Sequence, residues 1–257
     1  MSSDVKSPEF VQSLERGLSV ITAFSRDSQM LTLSEVADRT GLTRAAARRF
    51  LITLRELGYV ESDGRLFSLR PRVLELGYSY LSSLPVWEIA RPHLEELADK
   101  VQETTSASVL DGADIVFVAR VESKRIMSMT LGVGSRLPAW ATAMGRVLLA
   151  DLPPDQLDRY FERITLAPLN ERTVIDETAL REIIGQARVR GWTLVDQEVE
   201  EGVRSLAVPI RHPDGRVEAA ITVCSHALRV TPERVMDEFL PLALETSERV
   251  TRDLARR

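Results

Sequence analysis

The chain holds one cysteine, three histidines and 5% aromatic residues in 257 positions. A single thiol, Cys224, excludes an internal disulfide framework and any multi-cysteine zinc site. His93, His212 and His226 are too scattered to act as paired metal ligands on one helix, so no metal is expected. No run approaches the ~18 apolar residues of a membrane span, and the polar start MSSDVKSPEF is unlike a signal peptide. There is no GxSxG, no HExxH and no phosphate-binding loop. The glycines of GVGSRL (132–137) lack the third glycine and the strand–turn–helix setting a nucleotide needs. These absences point to a cytoplasmic protein without cofactor, membrane partner or recognisable catalytic apparatus.

Acidic excess is modest, at −5, and unevenly spread. Residues 1–84 carry 11 basic and 10 acidic side chains, whereas residues 85–257 carry 22 and 28. Within the first part, residues 39–72 hold eight arginines against Glu56, Glu61 and Asp63. Such asymmetry marks a binding segment inside an otherwise acidic chain. The length suits one or two domains.

Apolar spacing predicts a helix over 13–25, capped by Ser13, with Leu14, Leu18, Ile21 and Phe24 inward. LTLSEVADRTG predicts a second, with Ser34 as cap and Gly41 as stop. TRAAARRFLITLRELG predicts a third, capped by Thr43, with Ala46, Phe50, Leu54 and Leu57 inward. Alternation around Asp63-Gly64 predicts a β-hairpin. Three helices and a hairpin make a winged helix-turn-helix over 8–70. In that motif the third helix enters the major groove and the second crosses the backbone.

Arg44 and Arg48 stand four apart on one face, with Arg49 beside them and no acid between Arg39 and Arg55. Cations at a helix N-terminus oppose the dipole unless an anion lies near. Arginine forks bond guanine edges or phosphate, and Ala45 lets the backbone approach. Ser34, Thr43, Arg44, Ala45, Arg48, Arg49 and, at the hairpin tip, Arg65 are therefore the candidate contacts to double-stranded DNA.

Residues 71–85 read as a linker helix with apolar Val73, Leu74, Leu76, Tyr80 and Leu81, closed by Pro85 and covered by another copy of the chain. Residues 86–257 alternate short strands, helices and hairpins at Asp111-Gly112 and Asp214-Gly215, the pattern of an antiparallel sheet with helices packed on it. The fold class is thus α+β. Strands ending in Ser205, Thr222 and Cys224, beside the helix start WATAMGR, could line an apolar pocket or simply be core. The N-terminus of that helix, at Thr142, is a candidate anion site. Cys224 and His226 share a strand face, but a buried structural thiol is the plainer reading.

The motifs VQSLERGLSVITAF (11–24), LTLSEVADRTGLTRAAARRFLITLRELGYV (31–60), SRLPAWATAMGRVLLA (135–150) and VDQEVEEGVRSLAVPI (195–210) closely resemble the IclR family of bacterial transcriptional regulators, over essentially the whole chain. TRAAARRF, RPRVLELGYSYLSS, LDGADIVFVARV and VDQEVEEGVRS are most similar to the subgroup controlling protocatechuate, 4-hydroxybenzoate and catechol catabolism through the β-ketoadipate pathway. The resemblance implies a GAF-like effector-binding domain, dimers or tetramers, palindromic promoter sites and a small aromatic-derived or dicarboxylate effector. It also implies a pocket of Met129, Leu131, Ala143, Met144, Val203, Ser205, Thr222 and Cys224. Some relatives have Cys in place of Ser205 and Ser in place of Thr222 and Cys224. To these we add Trp140 as an aromatic wall, and Arg120 or Arg204 as partner of the effector's carboxylate. The alternatives are a family member sensing a glyoxylate- or pyruvate-like acid, and an enzyme acting on an aromatic acid.

Overall fold

The computed structural model describes residues 7–25, 27–82, 85–123 and 131–256. They fall into two compact units that divide between Ser79 and Tyr80.

The first unit begins with α1 (Gln12–Thr22), β1 (Met30–Thr32), α2 (Leu33–Thr40) and α3 (Arg44–Glu56). A β-hairpin follows, β2 (Val60–Ser62) and β3 (Leu66–Leu69), and β1 joins it to give an antiparallel sheet of order β1-β3-β2. Val20, Val36, Leu51, Leu54 and Val60 form its core. Several local expectations shift. α1 follows Val11 without a side-chain cap, so Ser13 is not its cap. Leu14 and Leu18 stay exposed in the single chain, while Val20 and Phe24 are buried. α2 is capped by Thr32, whose side chain and backbone exchange hydrogen bonds with Glu35 in a full capping box. Ser34 therefore sits inside the helix, not at its cap. On α3 the buried stripe is Ala47, Leu51 and Leu54, with Leu57 51% exposed beyond the helix end.

A 3₁₀ turn (Pro71–Val73) leads into α4 (Leu74–Leu81), which contains the division between the units. Pro85 does not close that helix. It opens the next one, α5 (Pro85–Val101), where a missing N–H costs nothing.

The second unit is a six-stranded antiparallel sheet of order β6-β5-β4-β9-β8-β7. Its strands are β4 (Thr104–Asp111), β5 (Asp114–Val121), β6 (Arg136–Pro138), β7 (Thr193–Asp196), β8 (Val203–Arg211) and β9 (Val217–His226). One face packs on α5 and the C-terminal α10 (Leu240–Leu254), burying Leu94, Leu97, Ile221 and Val250. Two short turns, α9 (Pro232–Arg234) and a π turn (Val235–Phe239), precede α10. The other face carries α6 (Ala143–Leu149), α7 (Pro154–Arg163) and α8 (Glu177–Arg190), burying Ile115, Phe117, Met144 and Ile184. Among the described residues, no helix is long and apolar enough to cross a membrane.

Parity decides what each strand offers to this second face. Along β8, Val203, Ser205 and Ala207 face α6, so Arg204 and Leu206 face away. On β5 the register shifts opposite Ala107/Ser108, pairing Phe117 with Ser108 and Ala119 with Ala107. The extra residue, Val118, is a β-bulge, and it turns Arg120 onto the same face as Ile115 and Phe117.

Candidate functional site

Two places in the molecule carry chemistry. The first is the N-terminal half of α3. Thr43 accepts the Ala46 N–H at 3.2 Å and so fixes the helix start. Arg44, Ala45, Arg48 and Arg49 are exposed, opposite the buried Ala47, Leu51 and Leu54. Among the described residues no carboxylate pairs with Arg44, Arg48 or Arg49, so their charge is uncompensated. Arg39 differs. Its guanidinium donates to the Ala23 carbonyl at 3.0 Å and the Ser28 hydroxyl at 2.6 Å, holding the turn after α1 to α2.

Arg65 is exposed just beyond the hairpin turn. Gly64 takes φ +103°, which only glycine adopts freely. Asp63 Oδ1 accepts the N–H groups of Leu66 at 2.7 Å and Arg65 at 2.8 Å. Those backbone donors hold its carboxyl below the usual range. The tip is therefore a rigid mount for one cation.

The second place is a cavity between the sheet and α6, about 50 Å³ in volume. Seven of the expected residues meet there: Leu131, Ala143, Met144, Val203, Ser205, Thr222 and Cys224. Met129 lies outside the described residues. Trp140 does not line the cavity. It sits in the 3₁₀ turn before α6, 4% exposed, its N–H bonded to the Tyr160 hydroxyl and its carbonyl to Arg146. The aromatic lining is Phe117, which strand parity alone could have flagged had the bulge been foreseen. Val195 and Val199 complete the apolar wall.

The two candidate cations part company. Arg204 faces the α5/α10 side, where it donates to both Asp196 oxygens, at 3.0 and 2.9 Å, and to the Val230 carbonyl. Its donors are committed, so it is not the carboxylate partner. Arg120 lines the cavity with its side chain only 7% exposed. Its contacts are long: 3.5 Å to the Ser106 hydroxyl and 3.4 Å to Glu122, itself 69% exposed. A nearly buried guanidinium so loosely bonded favours an anion in the cavity.

The remaining polar groups cluster away from Arg120. The Thr222 hydroxyl donates to the Leu206 carbonyl at 2.7 Å, and Cys224 Sγ lies 3.3 Å from Ser205 Oγ and 3.8 Å from Thr222 Oγ1. The thiol is thus held by two hydroxyls, not by a base; Ser225 lies on the other face, 1% exposed. At the start of α6, Thr142 accepts the Gly145 N–H at 3.1 Å and lines the cavity together with Ala143 and Met144. Among the described residues no cluster of histidine, cysteine or carboxylate groups could hold a metal.

Comparison with known proteins meets the same two regions. Residues 13–64 match the IclR helix-turn-helix domain, and residues 78–252 match the bacterial transcriptional regulator IclR C-terminal family. The chain is 45% identical to the Pca regulon regulatory protein of Pseudomonas putida over 241 residues, 93% of this chain and 83% of that one. It is 35% identical to the p-hydroxybenzoate hydroxylase transcriptional activator of Acinetobacter baylyi over 251 residues, 96% of this chain and 93% of that one. The crystal structure of an IclR homologue from Microbacterium hydrocarbonoxydans complexed with 4-hydroxybenzoate superposes with a TM-score of 0.84 at 26% identity, covering 95% of this chain and all of that one. With an uncompensated arginine face on a winged helix-turn-helix and family matches to both units, the chain belongs to the IclR family of bacterial DNA-binding transcriptional regulators.

Proposed function

We propose that this regulator controls genes for the breakdown of aromatic acids through the protocatechuate branch of the β-ketoadipate pathway, in response to a small carboxylate bound in the cavity. The observation that carries the reading is the nearly buried, loosely bonded Arg120 in a mostly apolar cavity. An aromatic acid supplies what that cavity lacks: an apolar ring for Phe117, Val195 and Val199, and a carboxylate for the guanidinium. The Pca regulon and p-hydroxybenzoate regulators among its relatives, and the relative holding 4-hydroxybenzoate, support the same class of effector.

DNA contact falls to Ser34, Thr43, Arg44, Ala45, Arg48, Arg49 and Arg65 of a head spanning 8–70, with residues 71–85 as linker and 86–257 as effector domain. A palindromic site needs two heads, and α4 offers exposed Leu74, Leu76, Tyr78 and Tyr80 for pairing with a second copy. The protein acts in the cytoplasm as that dimer. Effector binding shifts operator affinity only by its difference in affinity for the two states of the protein.

The test is a salt titration of binding to the promoter beside the protein's own gene, with and without protocatechuate, 4-hydroxybenzoate and β-ketoadipate. Binding that weakens with salt and changes with one of these acids is expected. Salt-insensitive binding, or indifference to all three, refutes the reading.

A further inference from the structure

We infer that the second unit holds a further acid-binding site, in a cavity between α7 and the β4–β5 turn, for a small monocarboxylate with an apolar body. It uses none of the residues that line the cavity beside α6, so it does not depend on the aromatic-acid reading above.

This cavity is about 310 Å³ in volume, within the lower range of small-molecule pockets. Its floor is apolar: Leu110 at the end of β4, Leu152 before α7, Ile164 after it, and the ring of Tyr160, 7% exposed. That floor is preformed. The Tyr160 hydroxyl donates to the Ala113 carbonyl at 3.0 Å and accepts the Trp140 N–H at 3.1 Å. The ring is thereby fixed between the hairpin turn and the segment before α6. A ligand entering such a site has little of the protein left to order, which favours binding.

The rim is cationic. Helical spacing puts Gln156, Tyr160 and Arg163 in one row along α7, with Arg159 beside them, and all four line the cavity. Arg159 and Arg163 are ~6 Å apart along the helix axis, so one carboxylate can reach both guanidinium groups.

Neighbouring acids do not neutralise this rim. Asp111 and Asp114, on either side of the turn, accept from Arg136 at 2.7 and 3.1 Å. Asp158 accepts from Arg181 at 2.7 Å. Asp155 takes a single nitrogen of Arg159 at 2.7 Å, in an exposed bridge that is weak and leaves the other donors for a ligand. Glu162 adjoins Arg163 in the chain but lies ~100° round the helix from it. Among the described residues, no carboxylate pairs with Arg163. A cation in the last turn of α7 also suits the helix dipole. The dipole does not account for the apolar floor beneath that cation. Floor and charge together select the ligand: an acid without a body leaves the floor wet, and a neutral ring leaves the guanidinium unpaired.

Calorimetric titration of the full-length protein with benzoate, acetate, benzamide and inorganic phosphate tests this. Two classes of benzoate site per chain are expected. Arg163→Met should weaken one class roughly tenfold and Arg120→Met the other. At the class that survives Arg120→Met, acetate, benzamide and phosphate should each bind at least roughly tenfold more weakly than benzoate. Gln156→Glu, an exposed change that brings a like charge to the cavity, should weaken the same class and leave melting unchanged. Absence of benzoate binding in Arg120→Met overturns the inference, as does surviving binding that is indifferent to Arg163→Met. Phosphate bound as tightly as benzoate also overturns it, because the floor then plays no part. Loss of only the Arg120-dependent class overturns the aromatic-acid reading and upholds this one. If Arg163→Met fails to fold, Gln156→Glu decides.

Discussion

Arg146 donates to both oxygens of Glu198, at 2.8 and 2.6 Å, with the arginine 1% exposed and the two residues 52 positions apart in the chain. The pair ties α6, whose first residues line the cavity, to the segment after β7 that carries Val199. Its other bonds close the surroundings: Arg146 Nε donates to the Trp140 carbonyl, and Glu198 accepts the Val174 N–H. Removing one partner of such a buried pair strands the other charge. Glu198→Gln or Arg146→Met should each cost about 3–5 kcal/mol, read as a lowered midpoint in urea unfolding of the effector domain. Replacing both with apolar residues of similar volume should recover much of the loss. A single substitution that leaves the midpoint unchanged contradicts this account.

That pair was not legible in the sequence, because nothing in residues 146 and 198 taken separately distinguishes a buried pair from two surface charges. The recognition face was legible, because Arg44, Arg48 and Arg49 recur on one side of a helix without acids nearby. Its inward stripe holds Leu54 as the spacing predicts, but takes Ala47 and Leu51 in place of Ala46 and Phe50. Phe50 carries the stronger apolar signal but only half-buries beside Gly17, while the small Ala47 takes the core position. β1 was invisible for another reason: three residues pair with β3, more than thirty positions away, and have no alternation of their own. For Arg204 the signal was present, since Val203 and Ser205 cannot share a face with the residue between them. Arg120 and Phe117 reach one face only through a bulge, which no residue pattern announced.

Arginines on the head should separate by what they touch. Arg44→Ala or Arg48→Ala should weaken operator binding by roughly 1–3 kcal/mol where the contact is bidentate to a base, and leave melting unchanged. Arg39→Ala should do the reverse, lowering stability because it deletes the bonds to Ala23 and Ser28. Fluorescence anisotropy with operator DNA, paired with thermal melting of each variant, distinguishes the two effects. Unchanged affinity in both Arg44→Ala and Arg48→Ala would displace the recognition surface from α3.

The capping box of α2 gives the head an acid limit. Backbone and side-chain donors of Thr32 hold the Glu35 carboxyl below the usual range. A carboxyl with a lowered folded pKa contributes stability that is full above its unfolded pKa. That contribution disappears as pH falls through the folded value, so the loss belongs below the ordinary glutamate range of about 4.3. Glu35→Gln should flatten this part of the pH profile, and Thr32→Ala should cost about 1 kcal/mol at neutral pH through loss of the cap. Melting curves between neutral and strongly acid pH measure both. A Glu35→Gln profile that overlays the parent's removes the carboxyl from the explanation.

Gly145 makes the sharpest packing prediction near the cavity. A Cβ built there would lie 2.0 Å from the Ala139 carbonyl oxygen and 2.4 Å from its Cα, both backbone atoms unable to swing aside. The close approach comes from the 3₁₀ turn Ala139–Ala141 doubling back onto the first turn of α6, where Thr142 accepts the Gly145 N–H. Gly145 has no positive φ, so glycine is required here for space and not for backbone conformation. Replacement by alanine gains helix propensity of about 1 kcal/mol, yet it must part the turn from the helix. The second effect should win, with a net loss above about 3 kcal/mol. The same opening would displace Ala143 and Met144 from the cavity wall, so affinity for the effector should fall along with the melting temperature. Gly185, where an added Cβ meets nothing within 4 Å, is the control: Gly185→Ala should leave effector affinity intact and raise stability slightly. If Gly145→Ala melts like the parent while Gly185→Ala does not, the close contact between turn and helix is not what fixes the cavity's roof.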